Sequence, residues 1–342
     1  MSRFKFSVGP WNVAEGTDVY GPATRTPIAM KDKIERFAEL GFDAVQFHDD
    51  DAVPDISSKS ESEIRDEARE LKAFLDQHNL KAEFVAPRLW FEPQFADGAY
   101  TAPVKENWDH AMWRTYRSID IARELGASFI VLWLAREGTL CLESKPPVPM
   151  ITQLIDSLNA MLDYDAEMKI AIEPKPNEPI DRSYAGTAGH ALALASRTSD
   201  PDRVGLLVES AHSTMAGLEA THDMALGLAF GKLLSVHLND QNGARFDQDK
   251  IFGSENLRSS FNQVRLLCEN GFGSKGEYIG LDVKAMRSSA DEYGFAHLAN
   301  SMKVVKRLEA KAEQWDQSVV DALVAKRDYE GVEMYTLDLL LG

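Results

Sequence analysis

Acids and imidazoles recur at one kind of place in this sequence, directly after a short apolar, β-branched run. VQF leads into His48, Asp49, Asp50 and Asp51, and IAI into Glu173 and Lys175. LLV leads into Glu209 and His212. LLSV leads into His237 and Asn239, with Asp247 and Asp249 in the following stretch, and IGL into Asp282 and Lys284. Carboxylates gathered at one mouth repel one another and raise their own pKa values unless positive charge sits among them. Divalent cations are the economical counter-charge. Carboxylate oxygen with some imidazole and no thiolate suits Mg²⁺, Mn²⁺ or Co²⁺ better than structural zinc, and points to an open, catalytic site. Taken singly, each acid reads as a helix cap or surface ion pair, the Asp49–Asp51 run included, and Asp247 to Asp249 as a solvated loop. Their joint placement carries the reading. His78, His110, His190, His222 and His297 lie on expected helices or their edges and read as surface or packing residues.

Such convergence needs elements that all end on one rim. Eight apolar runs read as strands: Phe4 to Val8, Ala44 to Phe47, Lys81 to Val85, Phe129 to Trp133, Lys169 to Ile172, Val204 to Val208, Leu233 to Leu238 and Tyr278 to Leu281. Between them lie segments of helical period, among them Met30 to Leu40, Glu61 to Gln77, Trp108 to Leu125, Met150 to Tyr164, Leu257 to Asn270 and a long Ala290 to Trp315. Ala188 to Ser196 and Asp223 to Phe230 are shorter. Repeated βα units call for a parallel sheet covered by helices. Eight of them fit a closed (β/α)8 TIM barrel, whose active site lies at the C-terminal strand ends. An open doubly wound sheet usually shows a Gly-rich phosphate turn after its first strand, and GPWNVAEG is not one. The barrel domain is expected to span residues 1–315. Residues 316–342 are expected to form a short C-terminal helical arm against a neighbouring subunit, being too short to hold a core.

The bulk properties fit a water-soluble enzyme. A 342-residue chain with 44% hydrophobic residues can bury a sound core. A net charge of -17 repels nucleic acid phosphates and anionic lipid, which leaves a small neutral molecule as the expected partner. Cys141 and Cys268 form no CxxC pair, and no apolar run approaches the roughly 20 residues that cross a bilayer. With no secretory leader visible, a cytoplasmic protein is expected.

Ordered stretches of the chain resemble the xylose isomerases over almost the whole length except the arm. They are FHDDD at Phe47 to Asp51, AIEPKPNEP at Ala171 to Pro179, MAG at Met215 to Gly217, the LN and QNG around Leu238 to Gly243, and FDQD at Phe246 to Asp249. DVYGPATR at Asp18 to Arg25 and REG at Arg136 to Gly138 add weaker support. The resemblance implies two divalent metal ions per subunit. Glu173, Glu209, His237 and Asp282 would hold one, and Glu209, His212, Asp247 and Asp249 the other. His48, oriented by Asp51, would assist ring opening, and Lys175 would polarise the carbonyl oxygen at C1. Trp11, Trp90 and Trp133 would wall the pocket; read from the residues alone, Trp11 fits core equally well. Asn239 and Lys284 join the expected sugar-binding residues. Tyr20 stands where the family sends an aromatic ring into the neighbour's site, and a homodimer or homotetramer is expected.

The sequence also departs from that family. His237 replaces an aspartate, which removes a negative charge and adds a nitrogen donor, favouring Mn²⁺ or Co²⁺ over Mg²⁺. Ala86 and Arg88 replace threonine and asparagine, so a bidentate fork is expected to grip the sugar. Leu207 and Glu15 replace an asparagine and a tryptophan, and the arm is short. The leading expectation is an aldose-ketose sugar isomerase using a metal-assisted hydride shift. The alternatives are a metal-dependent epimerase or lyase acting on a modified or oxidised sugar by proton transfer, and a non-catalytic sugar-binding barrel.

Overall fold

In a computed structural model, described here for residues 2–342, the eight strands close into a parallel barrel in sequence order. Strand β1 (Phe6–Val8) is followed by α1 (Met30–Leu40), then β2 (Ala44–His48), the single turn α2 (Asp49–Ala52) and α3 (Glu61–Gln77). Next come β3 (Lys81–Ala86), α4 (Lys105–Leu125), β4 (Phe129–Trp133), α5 (Pro147–Tyr164), β5 (Lys169–Glu173) and α6 (Ala188–Ala195). The chain continues through β6 (Val204–Glu209), α7 (Ser210–Met215), α8 (Ala220–Ala229), β7 (Leu233–Leu238), α9 (Leu257–Glu269), β8 (Ile279–Leu281) and α10 (Ala296–Ala312). Helices α11 (Gln317–Ala325) and α12 (Tyr329–Leu341) complete it.

Local chemistry sets the element ends. Ser60 and Glu63 make a reciprocal capping box at the start of α3, satisfying two backbone donors that the first turn leaves open. Gly41 closes α1 at φ 86°, a left-handed conformation that favours glycine. The expected helix from Ala290 starts instead at Ala296, because Asp291 to Tyr293 form a separate 3-10 turn. The short helices α2 and α7, which follow β2 and β6 without a loop, escape a reading that seeks long amphipathic periods.

Alternation along the strands divides the core into two layers. Val45, Phe47, Ile170, Ile172, Val236 and Leu238 face the helices in the main core. Phe84, Ala86, Phe129, Val131, Ala171 and Leu207 pack inside the barrel. Burying this apolar area drives the closure. The arm folds back on its own barrel: Trp315 packs on Phe261 of α9, Arg258 pairs with Glu333 of α12, and Leu339 and Leu340 touch the main core.

Candidate active site

Because all strands run the same way, their C-terminal ends form one mouth, and a cavity of about 1050 Å³ opens there. Glu173 ends β5, Glu209 ends β6, His237 is the penultimate residue of β7, and Asp282 follows β8. Each offers a donor atom within 4.8 Å of the others. His237 Nδ1 lies 3.4 Å from Glu173 Oε1, 3.4 Å from Glu209 Oε2 and 3.6 Å from Asp282 Oδ2. A second group shares Glu209: His212 Nε2 is 3.2 Å from Glu209 Oε1 and 3.3 Å from Asp247 Oδ2. Beside these groups, Trp11, His48, Trp90 and Trp133 form a continuous wall of rings lining the same cavity. Neighbouring centroids along it are 4.4, 5.2 and 4.5 Å apart.

A family model described as xylose isomerase-like TIM barrel matches residues 34–265. The xylose isomerase of Thermus thermophilus is 35% identical over 329 residues, covering 94% of this chain and 84% of that protein. The chain belongs to the xylose isomerase family. Solved structures extend the likeness in fold at low identity. A D-tagatose 3-epimerase-like protein superposes with a TM-score of 0.66 at 16% identity, covering 91% of this chain and 98% of that one. L-ribulose 3-epimerase gives 0.65 at 14%, covering 91% and 96%. The 3-keto-D-glucoside 4-epimerase of E. coli gives 0.63 at 14%, covering 89% and 99%.

In this member of the xylose isomerase family the mouth is electrostatically unbalanced. Burial, with the charges of Asp247 and Asp282 nearby, pushes Glu209 well above the usual carboxylate range, against His212 and His237. Burial and Asp247 push Asp249 up to about 7. Against burial, His237 holds Glu173 down at about 2, and Glu209 and Asp247 raise His212 to about 9. His212 Nδ1 and Asp247 Oδ1 are buried without a hydrogen-bond partner. Oxygen and imidazole donors crowded together with unused lone pairs fit divalent cations. Bridging Glu209 would serve both.

Several expected residues take different posts. Asp249, itself buried, stands outside the second group with its carboxylate paired to the partly exposed Lys284, whose ammonium offsets the cost of burying that charge. Lys284 is thereby engaged, although both residues line the cavity. Asn239 does not reach the cavity. Its amide donates to Glu209 Oε1 (2.9 Å), Asp249 Oδ1 (3.1 Å) and the Asp282 carbonyl (2.9 Å), while its oxygen accepts from Ala211 N. It braces the acids. Lys175 is buried on Asp247 Oδ2, with its ammonium 4.9 Å above the Trp133 ring. Trp11, which could have been core, donates from Nε1 to Asp282 Oδ1 at 3.0 Å.

Arg88 is not a free fork for a sugar. Its Nε donates to Asp50 Oδ1 (2.7 Å) and its Nη2 to Asp51 Oδ1 (3.0 Å), with the same Nη2 2.9 Å from His48 Nδ1. Asp51 Oδ2 also lies 2.9 Å from that nitrogen. Burial would raise Asp51, but the hydrogen bond from His48 and the charge of Arg88 hold it below its usual range. Asp49 points the other way, into the protein, where buried Arg114 of α4 donates to both its oxygens at 2.6 and 2.8 Å. The sequence reading missed Arg114, since an arginine on an amphipathic helix looks like surface. It also missed Gln46 and Glu83, although an acid within the apolar run KAEFVA was a visible signal. No helix among the described residues is long and apolar enough to cross a membrane.

Proposed function

We propose that the protein interconverts an aldose and its ketose by a 1,2-hydride shift at a two-cation centre. The observation that carries this is the pair of donor groups sharing Glu209 at the floor of a tryptophan-walled cavity. The T. thermophilus relative bears the name of such an isomerase over nearly the whole chain. Glu173, Glu209, His237 and Asp282 would hold one cation, and Glu209, His212 and Asp247 the other, with Asp249 next to the second. Mn²⁺ or Co²⁺ is the favoured metal because His237 brings a nitrogen donor. Bound there, the cations supply Lewis acidity to the sugar oxygens.

The chain's own groups supply the rest. His48, fixed by Asp51 and Arg88, faces the cavity to move a proton as the ring opens. Lys175 holds positive charge where the C1 oxygen gains electron density. Hydrogen passes with its electron pair from C2 to C1, and a proton passes from the C2 oxygen to the C1 oxygen. The tryptophan faces cover the sugar's C–H groups and exclude water from the transfer. The substrate is a small sugar, and a cytoplasmic homodimer or homotetramer is the assembly in which we place it.

A second reading, epimerisation or another conversion by proton transfer, is favoured by His237 and by the likeness in fold to the three epimerases. Turnover of a sugar panel with Mn²⁺, Co²⁺ or Mg²⁺ in D₂O separates them by proton NMR. Retention of the migrating hydrogen at C1 is expected. Its replacement by solvent deuterium overturns the hydride shift in favour of proton transfer, and absence of turnover across the panel counts against both.

A further inference from the structure

Two of the strand contacts in the barrel carry an extra residue. Between β2 and β3 the pairing runs Val45 to Ala82 and then Phe47 to Val85, so Glu83 and Phe84 together oppose Gln46. Between β6 and β7 it runs Leu206 to Leu233 and then Leu207 to Ser235, which leaves Leu234 as the addition. Each bulge turns two consecutive side chains inward. Phe84 and Leu234 join the apolar interior. Glu83 and Ser235 meet, with Ser235 Oγ donating to Glu83 Oε1 at 2.7 Å.

The other oxygen of Glu83 is equally engaged. Ser7 Oγ donates to Glu83 Oε2, and Gln46 Nε2 donates to the same oxygen at 2.9 Å and to Ser7 Oγ at 3.0 Å. Gln46 Oε1 then lies 3.1 Å from His237 Nε2. All five residues are buried. A carboxylate served by three donors only accepts, so Glu83 dictates which end of the Gln46 amide faces it. The amide oxygen is left facing His237, and it too only accepts. Gly280 leaves the room, for a Cβ there would stand 2.5 Å from Gln46 Nε2 and 2.8 Å from His237 Cδ2.

We infer that Gln46, locked by Glu83, is a positioning residue that keeps the proton of His237 on Nε2 and so presents Nδ1 as the donor toward Glu173, Glu209 and Asp282. A buried carboxylate is costly to keep, and this one does not line the mouth cavity. What it does is fix the direction of a hydrogen-bond chain that ends on a ring. Outer partners of this kind set the tautomer and orientation of a histidine donor.

The affinity part of the test rests on the two-cation reading, and the tautomer part does not. In protein with ¹⁵N-labelled histidine, ¹¹³Cd²⁺ should couple to Nδ1 of His237 while Nε2 keeps its proton. Gln46→Met should weaken Cd²⁺ binding at that site by roughly 10- to 100-fold, mix the coupling between the two nitrogens, and leave the His212 site unchanged. Coupling through Nε2 in the unaltered protein, or a variant with the same affinity and coupling, overturns the proposal. If no Cd²⁺ binds, the two-cation reading fails, and the metal-free ring decides. Its ¹⁵N spectrum should then show a proton on Nε2 in the unaltered protein, and a proton on Nδ1 alone overturns the proposal. Should Gln46→Met not fold, Glu83→Gln takes its place, because it keeps the size but frees the Gln46 amide to turn. It should mix the tautomers, and a single Nε2–H form in that variant overturns the proposal.

Discussion

His297 on α10 should make the fold acid-labile, and replacing it with glutamine should remove most of that lability. Its Nε2 donates to the Asn12 carbonyl at 2.9 Å, and Nδ1 has no partner. Burial, aided by the nearby charge of Arg25, lowers the ring to about 4 against the backbone bond to Asn12. The unfolded chain therefore takes up a proton near 6.5 that the folded chain refuses until about 4. A group depressed in this way contributes stability that is whole above 6.5 and lost as the pH falls through 4. The gap between those values is worth about 3 kcal/mol at 1.36 kcal/mol per pH unit, of which roughly 2 kcal/mol is gone by pH 5. His297→Gln keeps a donor for Asn12 and does not titrate. Urea unfolding of both chains in chelator, from pH 7.0 to about 4.5, measures the difference, and acids common to both cancel in it. Curves that fall in parallel over this range would refute the reasoning. The consequence reaches the mouth, since Asn12 Oδ1 accepts from Val283 N and the adjacent Trp11 holds Asp282.

Three further outcomes are expected. Glu209→Gln, which strips a charge from both donor groups, should abolish turnover and lower the number of Co²⁺ ions bound per chain in calorimetry; two ions bound with unchanged affinity would contradict the bridging role. Gly280→Ala should destabilise the barrel by about 1–3 kcal/mol in urea unfolding, because its Cβ would stand 2.6 Å from the Val236 carbonyl as well as against Gln46. Arg114→Met leaves Asp49 buried without its partner and should cost about 3–5 kcal/mol; a loss under 1 kcal/mol would mean that Asp49 finds other compensation.

The barrel was legible because apolar runs and helical periods repeat eight times, and the residues after each run inherit one rim from the topology. That logic located Glu173, Glu209, His212, His237 and Asp282 without any contact being visible. It could not say where each side chain turns once there. Asn239 and Asp249 sit at the same rim, yet one braces its neighbours from behind and the other is held by Lys284. Arg88 was read as a free fork for the sugar because its acidic partners at Asp50 and Asp51 lie 38 and 37 residues away in sequence. The bulges were hidden for another reason. Leu234 is one more apolar letter in an apolar run, and Glu83, though a visible acid, does not announce a register shift, which shows only when the neighbouring strand is laid beside it.

Along β3 the side chains face out, in, in, out, in from Ala82 to Ala86. Striking residue 83 from the chain would return a plain two-step rhythm, with Phe84 and Ala86 still inward and Val85 still outward. Glu83 is thus a guest in its strand: a descendant lacking it could keep the same rim and lose only the tether beneath His237.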